Sequence, residues 1–195
     1  MKMMIRTFIA LELPKPLKSE LGSVVNRYSK ATPPYVNWVK PENLHLTLLF
    51  IGDVQPQEIR IIDEVLAKQL EGFPSFIFRP EGLEFFPSLQ PHLLWLKLSS
   101  ENEDIFKLNR RLLKELSACG IEADKKAMKL HITLARLKSS LNPALEREIM
   151  SRNIKHEPLY FDCLCLFKSQ LFPEGPQYTV LNRYNLIHSR RINAG

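Results

Sequence analysis

The sequence predicts an α+β protein in which sheets with helices on their outer faces form two pseudo-duplicated halves around a cleft. Three observations carry this expectation. Strand-like runs outnumber helical ones. The helical stretches are too few and too unevenly spaced for a doubly wound parallel sheet, so mixed sheets fit better. One short strand pattern is written twice, as LHLTLLFI at 44–51 and LHITLARL at 130–137, once in each half of the chain.

The elements follow in order. Residues 5–13 (IRTFIALEL) are a mostly apolar run stopped by Pro14, a first strand. Over 16–30, Leu17, Leu21, Val24, Val25 and Tyr28 recur at helical spacing, with Pro16 in the first turn and Pro33-Pro34 beyond the end. A short strand at 36–39 and a turn at Pro41-Glu42-Asn43 lead into the first repeated strand, 44–51, which Gly52-Asp53 is expected to close. Ile61, Ile62, Val65, Leu66 and Leu70 form one stripe of a helix over 57–70, and Gly72 is placed to cap its end. Runs at 76–86 and 93–98 read as strands joined by the loop PSLQP. A helix over 105–116 carries Ile105, Leu108, Leu112 and Leu116 on one face and stops at Gly120. The second repeated strand spans 130–137. A short helix at 140–150 and strands at 159–167 and 178–188 complete the chain, with no linker or low-complexity segment dividing it. One bilobal domain over 1–195 is expected.

Composition narrows the class. Hydrophobic residues make up 45% and charged residues 25%, enough for a sizeable core. Lys and Arg total 27 against 21 Asp and Glu, a net charge of +6, which suits a polyanionic partner such as RNA or an ordinary basic surface. Three cysteines (Cys119, Cys163, Cys165) lack the spacing of a disulfide framework. Cys163 and Cys165 share a strand face and read as buried free thiols in a reducing cytoplasm. A Cys-x-Cys metal pair would need a second donor pair, and none lies near in sequence. The N-terminal apolar run is too short for a signal peptide, and nothing approaches a membrane span. A soluble, cytoplasmic, monomeric protein is expected.

Side chains alternate along a strand, so His45 and Thr47 share one face and Leu44, Leu46 and Leu48 the other. His131 and Thr133 repeat this against Leu130, Ile132 and Leu134. The leucines have the character of a core face, so each polar pair faces something else. A lone strand histidine is usually structural. Thr at +2 and Leu at +3 follow a histidine by chance roughly once in a few hundred, yet two of the five histidines here have both. Internal symmetry around a shared site is the better account. Two imidazoles can divide acid and base work. Paired hydroxyls with no repeated carboxylate suit the non-bridging oxygens of a phosphate. The set matches in-line displacement at a phosphodiester. It fits a metal poorly, since each motif offers one good ligand and no second donor at ligand spacing.

With these residues in view, the chain resembles the 2H phosphoesterase superfamily, and within it the RNA 2′,3′-cyclic phosphodiesterase (2′-5′ RNA ligase-like) family. The likeness runs through RTFIALELP at 6–14, WVKPENLHLTLLFIGDV at 38–54, FFPSLQPHLLWLKL at 85–98, LHITLARL at 130–137 and SQLFPEGPQYTVL at 169–181. It implies a bilobal pair of antiparallel-rich sheets around a cleft, no cofactor or metal, and RNA ends or nucleotides bearing 2′,3′-cyclic phosphate as partners. It further implies His45 as proton donor to the leaving 3′ oxygen, His131 as acceptor from water, and Thr47 and Thr133 as phosphate-holding hydroxyls. Arg136 matches a substrate-binding position and Phe50 an aromatic beside the nucleoside. By simple alternation Arg136 falls off the parity of His131 and Thr133, and needs a strand end, twist or bulge to reach the cleft. Met128 and Leu130 stand where relatives carry an aromatic residue and a proline. The implied activity is hydrolysis to a 2′-phosphomonoester. The rivals are 2′-5′ RNA ligation at the same site and a non-catalytic RNA-end binding module.

Of the remaining residues, His92, His156 and His188 read as surface or turn histidines. Trp38 and Trp95 read as packing, with Trp38 alternatively bordering the cleft, and Tyr178 as half-buried scaffold. Lys125, Lys126 and Lys129 read as a solvated turn or as an attractor of RNA, and the tail SRRINAG as a frayed end.

Overall fold

A computed structural model describes residues 3–87, 90, 92–154, 157–173 and 175–188. His156 and the tail from residue 189 lie outside them. The order is β1 (Ile5–Glu12), α1 (Lys15–Tyr28), β2 (Val36–Trp38), β3 (His45–Val54), α2 (Pro56–Leu70), β4 (Phe76–Phe86), β5 (Leu93–Ser100), α3 (Asp104–Ala118), β6 (His131–Leu137), α4 (Pro143–Met150), β7 (Leu159–Phe161), β8 (Cys163–Phe172) and β9 (Gly175–Asn185).

The strands form two sheets, β3-β1-β8-β9 and β2-β6-β5-β4-β7. Every pairing between them is antiparallel, so the sheets are not mixed. Nor does each sheet come from one half of the chain. β2 leaves the first half to pair with β6, and the β8–β9 hairpin returns to pair with β1. Each lobe is therefore tied down by a strand from the other end of the sequence. Several boundaries differ from expectation, among them the start of α4 at Pro143 and the end of the last strand at Asn185. β3 runs through Gly52-Asp53 to Val54, the run at 159–167 breaks at Asp162, and the last strand starts at Gly175.

The alternation argument holds in three dimensions. Leu46 and Leu48 of β3 and Ile132 and Leu134 of β6 join Leu17 and Leu21 of α1, Ile62 and Leu66 of α2, Leu108 and Leu112 of α3 and Ile149 of α4 in one core. The helices thus cover the faces opposite the histidines. Gly72, with φ +67°, ends α2 in the left-handed region, as its capping position requires. A second, small cluster of Phe8, Ala10, Cys165 and Phe167 lies on the other face of the first sheet, with Tyr178 and Val180 packed on it. No helix among the described residues is long and apolar enough to cross a membrane.

Candidate active site

The two repeated strands fold alike down to an irregularity. In the β1–β3 ladder, Ile9 pairs with Leu49 but Ala10 with Thr47, leaving Leu48 as the extra residue of a bulge. In the β5–β6 ladder, Leu94 pairs with Ala135 but Trp95 with Thr133, leaving Leu134 extra. Leu48 and Leu134 occupy the same place, three residues after the histidine. Each bulge inserts one residue, so the next side chain on the cleft face is the one three beyond the threonine. That side chain is Phe50 in one strand and Arg136 in the other. The bulge resolves the parity conflict over Arg136.

A bulge detaches a carbonyl from the ladder, and a buried orphan costs about 1–3 kcal/mol. The Leu48 carbonyl accepts from the side-chain amide of buried Asn109 on α3 at 2.7 Å, and the Leu134 carbonyl from the Val39 backbone N–H at 2.8 Å. Asn109→Ala is expected to lower unfolding free energy by about 1–3 kcal/mol in denaturant titration. It should also weaken substrate binding through Phe50, which an Asn109 serving helix stability alone would not do.

One cleft of about 1230 Å³ is lined by His45, Thr47, Phe50, His131, Thr133 and Arg136. All six residues singled out in the sequence meet there. Both imidazoles are held the same way. His45 Nδ1 lies 2.7 Å from the Asn43 carbonyl and His131 Nδ1 2.9 Å from the Lys129 carbonyl, in each case two residues upstream. A carbonyl only accepts, so each Nδ1 carries a proton and each Nε2 is the nitrogen left for chemistry. His45 Nε2 sits 3.0 Å from Thr47 Oγ1.

The surroundings differ. His45 packs on Phe8 (ring centroids 4.9 Å) and meets Tyr178 edge-on (5.4 Å). Burial in this wall, with the charges of His131, Arg136 and Lys18 added, pulls its pKa down to about 4 despite the opposing Asn43 hydrogen bond. His131 lies against Trp95 (4.6 Å), which stacks on Phe86 (4.3 Å), and Lys129 Nζ sits 4.1 Å from the centre of the Phe86 ring. Burial first, then Arg136 and Lys129, lower the His131 pKa as well.

Other sequence readings resolve here. Trp95 is packing, but packing beneath His131. Trp38 does both jobs, donating to Thr32 Oγ1 at 2.7 Å and lining the cleft. Tyr178 is half-buried in the cleft wall. His92 and His188 are exposed. Lys125 pairs with Glu122 and Lys126 with Asp124 on the exposed turn, whereas Lys129 is held on Phe86. Met128 and Leu130 pack against the main core, so their departure from the familiar pattern does not touch the cleft. Phe8 and Asn109 escaped sequence reading because only the β1–β3 register and the packing of α3 on β3 bring them there.

Charge and donor chemistry point to an anion. The lining cations are Arg6, Lys40, Arg136 and Lys138, against Asp124 as the one carboxylate among the described lining residues. The only cluster of three metal-type donors among the described residues, Glu12, Cys163 and Cys165, includes neither motif histidine. Its Glu12 is ion-paired with Arg183 at 3.0 Å. The thiols are free, with Cys163 and Cys165 sulfurs 3.7 Å apart.

Two antiparallel sheets that each carry a His-x-Thr strand into a common cationic cleft define the 2H phosphoesterase class. Comparison with known proteins narrows this. The model of the LigT-like phosphoesterase family matches residues 11–95 and again 96–178, one motif in each match, and the chain belongs to that family. A Thermotoga maritima protein named RNA 2′,3′-cyclic phosphodiesterase is 35% identical over 91% of this chain and 93% of its own length. One of the same name from Methanothermobacter thermautotrophicus is 29% identical over 94% and 100%. Among solved structures, a Thermus thermophilus protein superposes with a TM-score of 0.76 at 26% identity, covering 95% of this chain and 100% of that one. E. coli LigT complexed with 3′-AMP shares the fold, with a TM-score of 0.71 at 21% identity, over 95% of this chain and 100% of its own.

Proposed function

We propose that the protein opens RNA-terminal 2′,3′-cyclic phosphate to a 2′-phosphomonoester by metal-independent acid–base catalysis. The observation that carries this reading is the repeated geometry: two imidazoles with Nδ1 pinned to a carbonyl and Nε2 left for chemistry, each two residues before a threonine that lines the same cationic cleft. Neutral His131 takes a proton from water through Nε2 as the water oxygen bonds to phosphorus. The bond from phosphorus to the 3′ oxygen breaks, and that oxygen takes the proton on His45 Nε2. Thr47 and Thr133 donate to the non-bridging oxygens, and Arg136 balances their charge. An imidazolium with a low pKa is a strong donor to a leaving alkoxide. Its proton is retained because the bound phosphate anion offsets the burial and cationic neighbours that depress the free group.

The protein acts in this proposal as one bilobal domain and as a monomer, in the cytoplasm, the reducing compartment that free thiols favour. The experiment is incubation of the purified protein with an oligonucleotide ending in 2′,3′-cyclic phosphate, with and without EDTA. Turnover to a 2′-phosphate that EDTA leaves unchanged is expected. No turnover, turnover lost on chelation, or a 3′-phosphate product would overturn the assignment.

A further inference from the structure

A cleft shaped for a polyanion contains one carboxylate that its phosphate chemistry does not explain. Asp124 lines the same cleft as His45, His131 and Arg136, yet a carboxylate beside a phosphate is repulsive. The part of a bound ligand that such a carboxylate can pair with is one that donates hydrogen bonds.

Its position says which part. Asp124 lies in the stretch between α3 and β6 that has no regular secondary structure, and its backbone N–H donates to the Phe50 carbonyl at 2.8 Å. The carboxylate and the exposed Phe50 ring are thereby held on neighbouring backbone at the cleft mouth. An exposed aromatic ring on a cleft wall is a stacking platform for an unpaired base. Asp124 Oδ1 accepts the Lys126 N–H at 3.0 Å, and Oδ2 faces Lys126 Nζ at 3.4 Å. A carboxylate has about four lone-pair sites, so acceptor capacity remains on both oxygens. The Lys126 ammonium is largely solvated and competes weakly.

An acceptor-only fork next to a stacked base discriminates among the four bases. Guanine alone presents two adjacent donors, N1–H and the 2-amino group. Adenine and cytosine set a ring acceptor beside their amino group, and uracil flanks its N3–H with two carbonyls. We infer that Asp124 selects guanine at the RNA end held in the cleft, its carboxylate accepting from N1–H and the 2-amino group of a base stacked on Phe50. This specificity rests on the reading of the cleft as a cyclic-phosphate site.

Calorimetric titration with guanosine, adenosine, cytidine, uridine and inosine 2′-monophosphates tests it, paired with hydrolysis of the corresponding 2′,3′-cyclic nucleotides. The guanosine nucleotide is expected to bind about tenfold or more tightly than the adenosine, cytidine and uridine ones. Inosine, which lacks the 2-amino group, should fall between. Asp124→Asn keeps an oxygen to cap the Lys126 N–H but replaces an acceptor with a donor, and should bring guanosine down to the level of the others. Equal affinity for all five nucleotides would overturn the inference. So would an Asp124→Asn protein weakened alike toward every base, which is the signature of a turn cap. Guanine-selective binding without opening of any cyclic phosphate would uphold the subsite and remove the hydrolase reading. Unselective binding with opening would do the reverse.

Discussion

Alanine at His45 or at His131 is expected to lower kcat/KM on a cyclic-phosphate-ended oligonucleotide by about 10²–10⁴-fold. Neither loss should come from unfolding. Both side chains stand on the cleft face of strands whose opposite faces, Leu46 and Leu48 or Ile132 and Leu134, are locked into the main core. Thermal transitions near that of the unaltered protein should accompany the loss. The two groups serve one proton-transfer cycle, so the double variant should lose little more than the worse single one. Independent, additive losses would mean that the histidines do not act as a pair. His45→Ala also removes the ring that packs on Phe8 and Tyr178, so its thermal transition should move more than that of His131→Ala.

Arg136→Gln is expected to cost about 10²–10³-fold in kcat, the loss found when one donor to a developing oxyanion is removed. The bulge at Leu134 turns this guanidinium onto the cleft face, where its charge is felt by both histidines and by Tyr178. Arg136→Lys should restore only part of the rate, because an ammonium cannot make the planar two-point contact of a guanidinium with phosphate oxygens. Arg136→Gln should also relieve the depression of the histidine pKa values that the Arg136 charge contributes, whereas Arg136→Lys, which keeps the charge, should leave it largely in place. A variant with unchanged kcat and a raised KM would reduce Arg136 to electrostatic attraction of the substrate.

Much of this is legible in the amino-acid sequence. The helix stripes, the order of elements and the chemistry of the two His-Thr pairs follow from periodicity and residue type. The six proposed site residues meet in one cleft. What the residues did not display is set by pairing between distant segments. Nothing local to β2 says that it belongs beside β6, nor does the final hairpin announce that it pairs with β1. Phe8, Trp95 and Asp124 reach the site through register and a backbone bond, which leave no motif. The bulges are an intermediate case. Leu48-Leu49 and Leu134-Ala135 each break strict alternation with two consecutive buried residues, at the same place in both copies. That paired break was a readable signal for the turn of Phe50 and Arg136 toward the cleft.

The dependence of kcat/KM on pH tests the central claim most directly. In the free protein both histidines titrate below the usual 6.5, His45 near 4, so at neutral pH both are chiefly uncharged. The competent form carries one proton on the pair, and its share shrinks as pH rises above the higher of the two values. The account predicts a bell for kcat/KM with its maximum below pH 6.5, falling toward about tenfold per pH unit on the alkaline side. The kcat maximum should lie at higher pH, because bound phosphate anion raises both values. Each single histidine variant should lose one limb of the bell. A kcat/KM that is flat or rising between pH 6.5 and 8.5, or a bell that survives in either variant, would contradict paired acid–base catalysis by His45 and His131.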